Sequence, residues 1–282
     1  MMLKTTCRWL PAVLAVCGVL PTGARALPIY DIQYVDLAVN PDGDSPYAGQ
    51  IVDCGGGIVV HKFTGTKPKV TLQDPGRPDG WGGIAIKDWA VGQDMFNAVA
   101  VGDLVAFTDV EVEEYRGNTL LRYEDGSGYT IVSRGNPLPP PARVSPHQIA
   151  APLEGPPGDW YVADHAPEPY EAMRIRIEDV TVTQMGLGKA GDNYNLHGAG
   201  DVWTADYMNE DAAGDYDPLI SVGQHFDQVS GILEQYTKLS YGWDYYQLLT
   251  TTSDDLVVNA VVPEPTPPAI ALAALALVRR KR

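Results

Sequence analysis

Catalysis needs nucleophiles, proton carriers or metal ligands at fixed spacing, and this chain of 282 residues offers few of them. The five histidines, His61, His147, His165, His197 and His225, are scattered without the separations that build a metal site. No Gly-x-Ser-x-Gly elbow, phosphate-cradling glycine loop or His-Glu-x-x-His pair occurs. Cys54 lies in Asp53-Cys54-Gly55-Gly56-Gly57 with no histidine near it in sequence, which suits a buried thiol better than a nucleophile. Asp201, Asp206, Asp211, Asp215 and Asp217 are oxygen ligands of the kind Ca²⁺ takes. They lack the ligand order of an EF-hand loop, and solvated loop acids are the simpler account. Asp42-Gly43-Asp44 reads in the same way, as a turn. No catalytic residue, metal ligand or cofactor is therefore assigned, with Ca²⁺ as the single weak candidate.

What remains is aromatic surface. Trp81, Trp89 and Tyr115 in one half of the chain, and Trp203, Tyr207 and Tyr236 in the other, fall on or beside expected strands. Rings in such places stack on sugars or bases, and these six are the ligand-binding candidates. Trp81, in the loop Gly80-Trp81-Gly82-Gly83, leads them, because no strand neighbour obliges it to be buried. The competing account is that the rings fill cores or pack one half on the other, since each aromatic buries a large area. The hairpin tip Tyr241 to Tyr246 is read as such packing between the halves. Lys62, Lys67 and Lys69 form a small basic cluster, which could serve nucleic-acid binding but is read first as the guard of an edge strand.

The elements that must position these residues repeat at about 120 residues. Tyr47-Ala48-Gly49 precedes one β-rich run and Tyr170-Glu171-Ala172 another; Val101-Gly102-Asp103 opens one strand and Val222-Gly223-Gln224 another. Tyr129-Thr130-Ile131 and Tyr246-Gln247-Leu248 are expected to close the two units. Alternation predicts strands over Ile51–Phe63, Val70–Gln73, Gly83–Lys87, Leu104–Tyr115 and Tyr129–Val132, with a short helix over Met95–Val101. The second unit gives Ile175–Val182, Tyr194–Leu196, Val202–Asp206, Phe226–Leu233 and Tyr245–Thr250. Five strands with a helix between the third and fourth is the order of an OB-fold, so the expected class is all-β with two tandem five-stranded OB-fold-like barrels. A jelly-roll or immunoglobulin-like sandwich is the all-β alternative.

Ile29-Tyr30-Asp31-Ile32-Gln33-Tyr34, Gly43 to Gly49, Val101-Gly102-Asp103 and Tyr115-Arg116-Gly117 resemble the OB-type domains beside secreted bacterial endonuclease/exonuclease-type phosphoesterases. The resemblance implies a fold and a secreted setting without catalysis, because the hydrolytic domain of that family has no counterpart here. Where the family has glycine in the fourth strand, the first unit carries Asp109 and the second Gly231.

The two ends speak of sorting. Lys4 and Arg8, an apolar run from Trp9 to Leu20 and Ala24-Arg25-Ala26 read as a secretory signal cut after Ala26. Pro263-Glu264-Pro265, an apolar segment from Ala269 to Val278 and Arg279-Arg280-Lys281-Arg282 resemble the PEP-CTERM signal of bacterial surface proteins. That resemblance implies an exosortase-type processing enzyme, the export machinery, and transient membrane anchoring through the tail. The basic stop fits the positive-inside bias. The expected organisation is a signal peptide at 1–26, OB-like domains at 27–135 and 160–260, a Pro-rich linker at 136–159, and a sorting tail with a short helix at 261–282.

Charge narrows the partner. The full chain carries −16; without residues 1–26 and 263–282 it keeps 13 basic and 35 acidic residues, or −22. Such a field repels phosphate backbones. The expected function is thus a non-catalytic, surface-sorted binding or matrix protein for extracellular polysaccharide or protein. A metal-dependent hydrolase or accessory acting on extracellular nucleic acid is the alternative.

Overall fold

The computed structural model describes residues 25–64, 68–155, 158–162, 164–188, 191, 193–206 and 216–258. The signal segment up to Ala24, Lys67, Tyr207, Asp211, Asp215 and the sorting tail with Pro263, Glu264, Pro265 and Arg279–Arg282 lie outside these residues.

The first unit holds α1 (Ile29–Gln33), β1 (Ile51–Phe63), β2 (Lys69–Gln73), β3 (Gly83–Asp88), α2 (Asp94–Ala98), β4 (Leu104–Tyr115), β5 (Asn118–Tyr123) and β6 (Gly128–Ser133). Its sheet runs β1-β2-β3-β5-β4-β6, and a further β1–β4 pairing closes the first five strands into a ring. β3 and β5 are parallel; the other neighbours are antiparallel. β1 reaches both β4 and β2 because it coils at its glycines. Gly56 has φ +80, and a Cβ there would sit 1.6 Å from the Val105 carbonyl oxygen, so only glycine serves. Val70, Leu72, Ile84, Ile86, Val105, Phe107 and Leu121 point inward with Ile29, Ile32 and Met95. Cys54 is among them, its thiol pushed up to about 11 by burial.

The second unit follows β7 (Ala142–Arg143), α3 (Pro146–Ile149), β8 (Leu153–Glu154) and β9 (Trp160–Tyr161). It comprises β10 (Arg174–Leu187), β11 (Asn193–His197), β12 (Asp201–Asp206), β13 (His225–Lys238), β14 (Trp243–Thr250) and β15 (Leu256–Val257). Its ring is β10-β11-β12-β14-β13, again closed through the first and fourth strands and again parallel between the third and fifth. The expected linker is therefore partly sheet: β7 pairs with β10, and β8 and β9 extend the sheet beyond β14.

The repeat is visible in matching hydrogen bonds. Gly102 N–H donates to Val59 O at 2.9 Å, and Val59 N–H to Asp103 O at 2.8 Å. Gly223 and Val182 repeat the first bond at 2.8 Å, Val182 and Gln224 the second at 2.9 Å. Both glycines have φ +89.

One expected anchor is corrected. Tyr246 lies on the fifth barrel strand, β14, whose counterpart is β5; Tyr129 lies on β6, an added strand outside the ring. β5 follows β4 after only Arg116 and Gly117, both at positive φ (58° and 81°), a two-residue hairpin that leaves no loop to announce it. The helix between β3 and β4 is also shorter than Met95–Val101. The Lys62 ammonium, hydrogen-bonded to Phe96 O (2.7 Å) and Val99 O (2.8 Å), closes its end. Asp109 does adopt φ +54, the backbone state that favours glycine.

Candidate binding cleft between the barrels

Alternation along β2, β3 and β5 leaves Lys69, Ala85, Lys87 and Leu120 on the outside of the first barrel, facing the second. Ala85 and Leu120 pack on Ala172, with Tyr115 against them. Val60 and Phe63 pack on Ala205, Ile232 and Leu249. At the rim of this seam the apolar contact gives way to a cleft of about 170 Å³. Lys69, Lys87, Tyr115 and Arg116 line it from the first barrel, and Glu234 and Tyr236 from the second.

The cleft is cationic in an acidic molecule. Lys69 forms an ion pair with Glu234 across the seam. The Lys87 ammonium sits 3.4 Å from the centre of the Tyr115 ring. Burial, aided by the Lys69 and Arg116 charges, pushes its amine down to about 8, against the pull of Glu234 and Glu113. The Arg116 guanidinium lies 5.1 Å from the Tyr115 ring centre and 5.2 Å from that of Tyr236, and donates to the Tyr236 hydroxyl at 2.9 Å. Three cations and one carboxylate thus line the cleft between two aromatic rings, and Glu113 adds a second negative charge near Lys87. Cations over rings keep a partly dehydrated charge without a carboxylate partner, which leaves that charge open to an incoming anion.

Of the six aromatic candidates, the structure brings Tyr115 and Tyr236 together. Trp203 is 7 % exposed and packs with Trp243 and Tyr245, and Trp160 from β9 lies 5.4 Å from it. Its ring is packing, not open surface. The hairpin tip likewise packs on the β9 segment through Trp243, 5.5 Å from Trp160. Trp81 is half-buried, edge-on to Tyr34 at 5.5 Å. Its φ of +57 is held by its N–H on Pro169 O, so that loop is part of the seam. Trp89 sits apart, with the Arg122 guanidinium 4.8 Å from its ring centre.

The basic cluster is corrected as well. Lys62 serves the helix end, and β2 pairs on both sides, so Lys69 guards no edge; it lines the cleft. Sequence reasoning missed Lys87, Arg116 and Glu234. Only Arg116 left a signal, as the non-glycine half of a tight turn. Asp201 accepts from Asn195 at 2.6 Å, and Asp217 from Leu219 N–H at 2.8 Å and the Ser253 hydroxyl at 2.8 Å. Among the described residues, no three His, Cys, Asp or Glu side chains come together as metal ligands. Nor is any described helix long and apolar enough to cross a membrane.

The strand order defines an all-β protein of two tandem OB-fold-like barrels. No protein-family model and no curated protein matches the chain. Among solved structures it is similar to the OB domain of Ta0387 from Thermoplasma acidophilum (21 % identity, 40 % of this chain and 92 % of that one, TM-score 0.22). It is also similar to fission yeast Pot1 with ssDNA (13 % identity, 80 % and 84 %, TM-score 0.33). The tetrameric p202 HIN2 is a further likeness, at 18 % identity over 30 % of this chain and TM-score 0.25; the matched region spans 43 % of that chain's length.

Proposed function

We propose that this chain is an exported, surface-sorted binding protein without chemistry of its own, and that its inter-barrel cleft receives an acidic unit of an extracellular polysaccharide. The observation that carries this is the cleft itself: Lys69, Lys87 and Arg116 against Glu234, with Tyr115 and Tyr236 as ring platforms. A carboxylate-bearing sugar supplies both an anion for the cations and an apolar ring face for the tyrosines. Delivery would use the secretory segment and the exosortase-type tail, with the membrane holding the chain only until processing. No cofactor is needed.

Single-stranded nucleic acid is the second reading, favoured by the cleft's place on the second and third strands, the surface by which OB-folds take oligonucleotides as well as oligosaccharides. The charge of the exported region opposes it, since every nucleotide brings a negative charge to a strongly negative molecule, whereas a sugar polymer need bring only the one acidic unit that the cleft receives. Purified mature protein titrated with a uronate oligosaccharide, its methyl-esterified form and single-stranded DNA, at two salt concentrations, separates the readings. Binding of the uronate alone is expected, weakened by salt. Tighter DNA binding that falls steeply with salt would replace this assignment by the second.

A further inference from the structure

The cleft exists only while the two barrels stay docked, and beside it the seam buries an unusual set of acids. Glu168 and Glu171, on the segment leading into β10, are each 2 % exposed. Glu114 reaches toward them from β4. Glu168 accepts the Tyr246 hydroxyl of β14, on which His165 Nδ1 also sits at 3.0 Å. Glu114 accepts Ser45 N–H at 2.9 Å and the Thr119 hydroxyl at 2.8 Å. Asp44 from the loop before β1 and Asp244 of β14 add negative charge near Glu168, and Glu234 adds it near Glu171. Gly43 packs so closely that a Cβ there would lie 2.7 Å from the Glu168 carboxyl carbon. Lys69, a cation that crosses the seam, is paired with Glu234, and His165 faces Asp244 at 3.8 Å. Buried ionised carboxylates without cations are costly. These acids do not come together as a metal-binding group among the described residues, and a proton on a buried carboxyl removes that cost.

We infer that the joint between the barrels is a proton-held latch, closed while Glu168, Glu171 and Glu114 hold protons and loosened as these acids ionise, so that the cleft assembles in acid and comes apart in base. Burial raises all three carboxyls: Glu168 from 4.5 to about 8 with the Glu114 charge adding to it, Glu171 well above its ordinary range with Glu168 and Glu114 adding, and Glu114 upward with Asp44 adding. The Tyr246 hydroxyl offsets part of this at Glu168, and the Ser45 N–H and Thr119 hydroxyl part of it at Glu114. A carboxyl raised on docking favours the docked state fully below its free value of 4.5, and that advantage is lost as pH climbs through about 8. The regulatory part of this inference rests on the cleft being the binding site; the latch itself does not.

Hydrogen exchange tests it in the intact chain. Trp81 N–H and Thr237 N–H donate across the seam to Pro169 O and Arg116 O. Ile86, in the β2–β3 ladder inside one barrel, is the control. After correction for intrinsic base catalysis, protection at Trp81 and Thr237 is expected to fall roughly tenfold between about pH 6.5 and pH 8 while Ile86 holds. In Glu168→Gln/Glu171→Gln that dependence should vanish. Equal protection at both pH values in the wild type overturns the latch, whether or not the variant folds. Seam opening in a protein that binds no uronate at either pH upholds the latch and removes the cleft assignment instead.

Discussion

The two barrels share a strand order and use their outer faces differently. In the first, the outer positions of the second and third strands are Lys69, Ala85 and Lys87, and the face opens at its rim into the cleft. In the second, the outer positions of the third and fifth strands are Trp203, Ala205, Trp243 and Tyr245, sealed by Trp160 and by the first barrel. A duplicated fold has turned one copy of its face into a packing surface and kept part of the other as a site. Residue type alone does not separate the two uses, since aromatics stand on both. The neighbour laid over the face decides.

The largest effect should come from the sealed face. Trp203→Ala empties a packed ring position and is expected to cost about 3–5 kcal/mol, read in denaturant unfolding. A change within the range of surface substitutions would show that the face is open after all and dissolve the contrast. Next is the acidic seam. Thermal stability should fall as pH rises from about 6.5 to about 8, by about 1.4 kcal/mol per pH unit for each proton released. The window matters because burial holds the His61 imidazole down to about 4, and that group gives the opposite slope below its free value of 6.5. Glu168→Gln should flatten the curve, and an unchanged slope would place the protons elsewhere.

On the open face, Arg116→Ala should leave stability within about 1 kcal/mol, because the side chain is exposed. It should weaken uronate binding by about tenfold or more, as expected for a lost charge-assisted contact. Calorimetric titration beside a melting curve reads both numbers. A large drop in melting temperature with intact binding would make Arg116 a structural bridge to Tyr236 and nothing more. The smallest change is expected for Trp81→Ala, about 1 kcal/mol, since its half-buried ring touches Tyr34 at one edge. A loss as large as that for Trp203 would make Trp81 core.

The barrels were legible because their strands alternate. Ile51–Phe63 and Leu104–Tyr115 coincide with β1 and β4, and the Val-Gly-Asp and Val-Gly-Gln anchors mark the same turn in both units. β5 was not legible, because a hairpin turn of two residues joins it to β4 with no loop between them. The site was half legible. Tyr115 and Tyr236 could be picked as rings beside strands, as Trp203 was. But Lys69 and Glu234 stand 165 residues apart, and only docking of the barrels makes them a pair. Nothing local distinguishes Lys87 from any alternating surface lysine. The burial that perturbs it comes from the seam.

The most direct test of the cleft is to map where an acidic sugar lands. Backbone amide shifts of the isotope-labelled protein, followed while a uronate oligosaccharide is added at about pH 6.5, should move first at Lys69, Lys87, Tyr115, Arg116 and Tyr236. Shifts confined to the neighbourhood of Trp203 and Trp243 or of Trp89, or none at saturating sugar, would contradict the account.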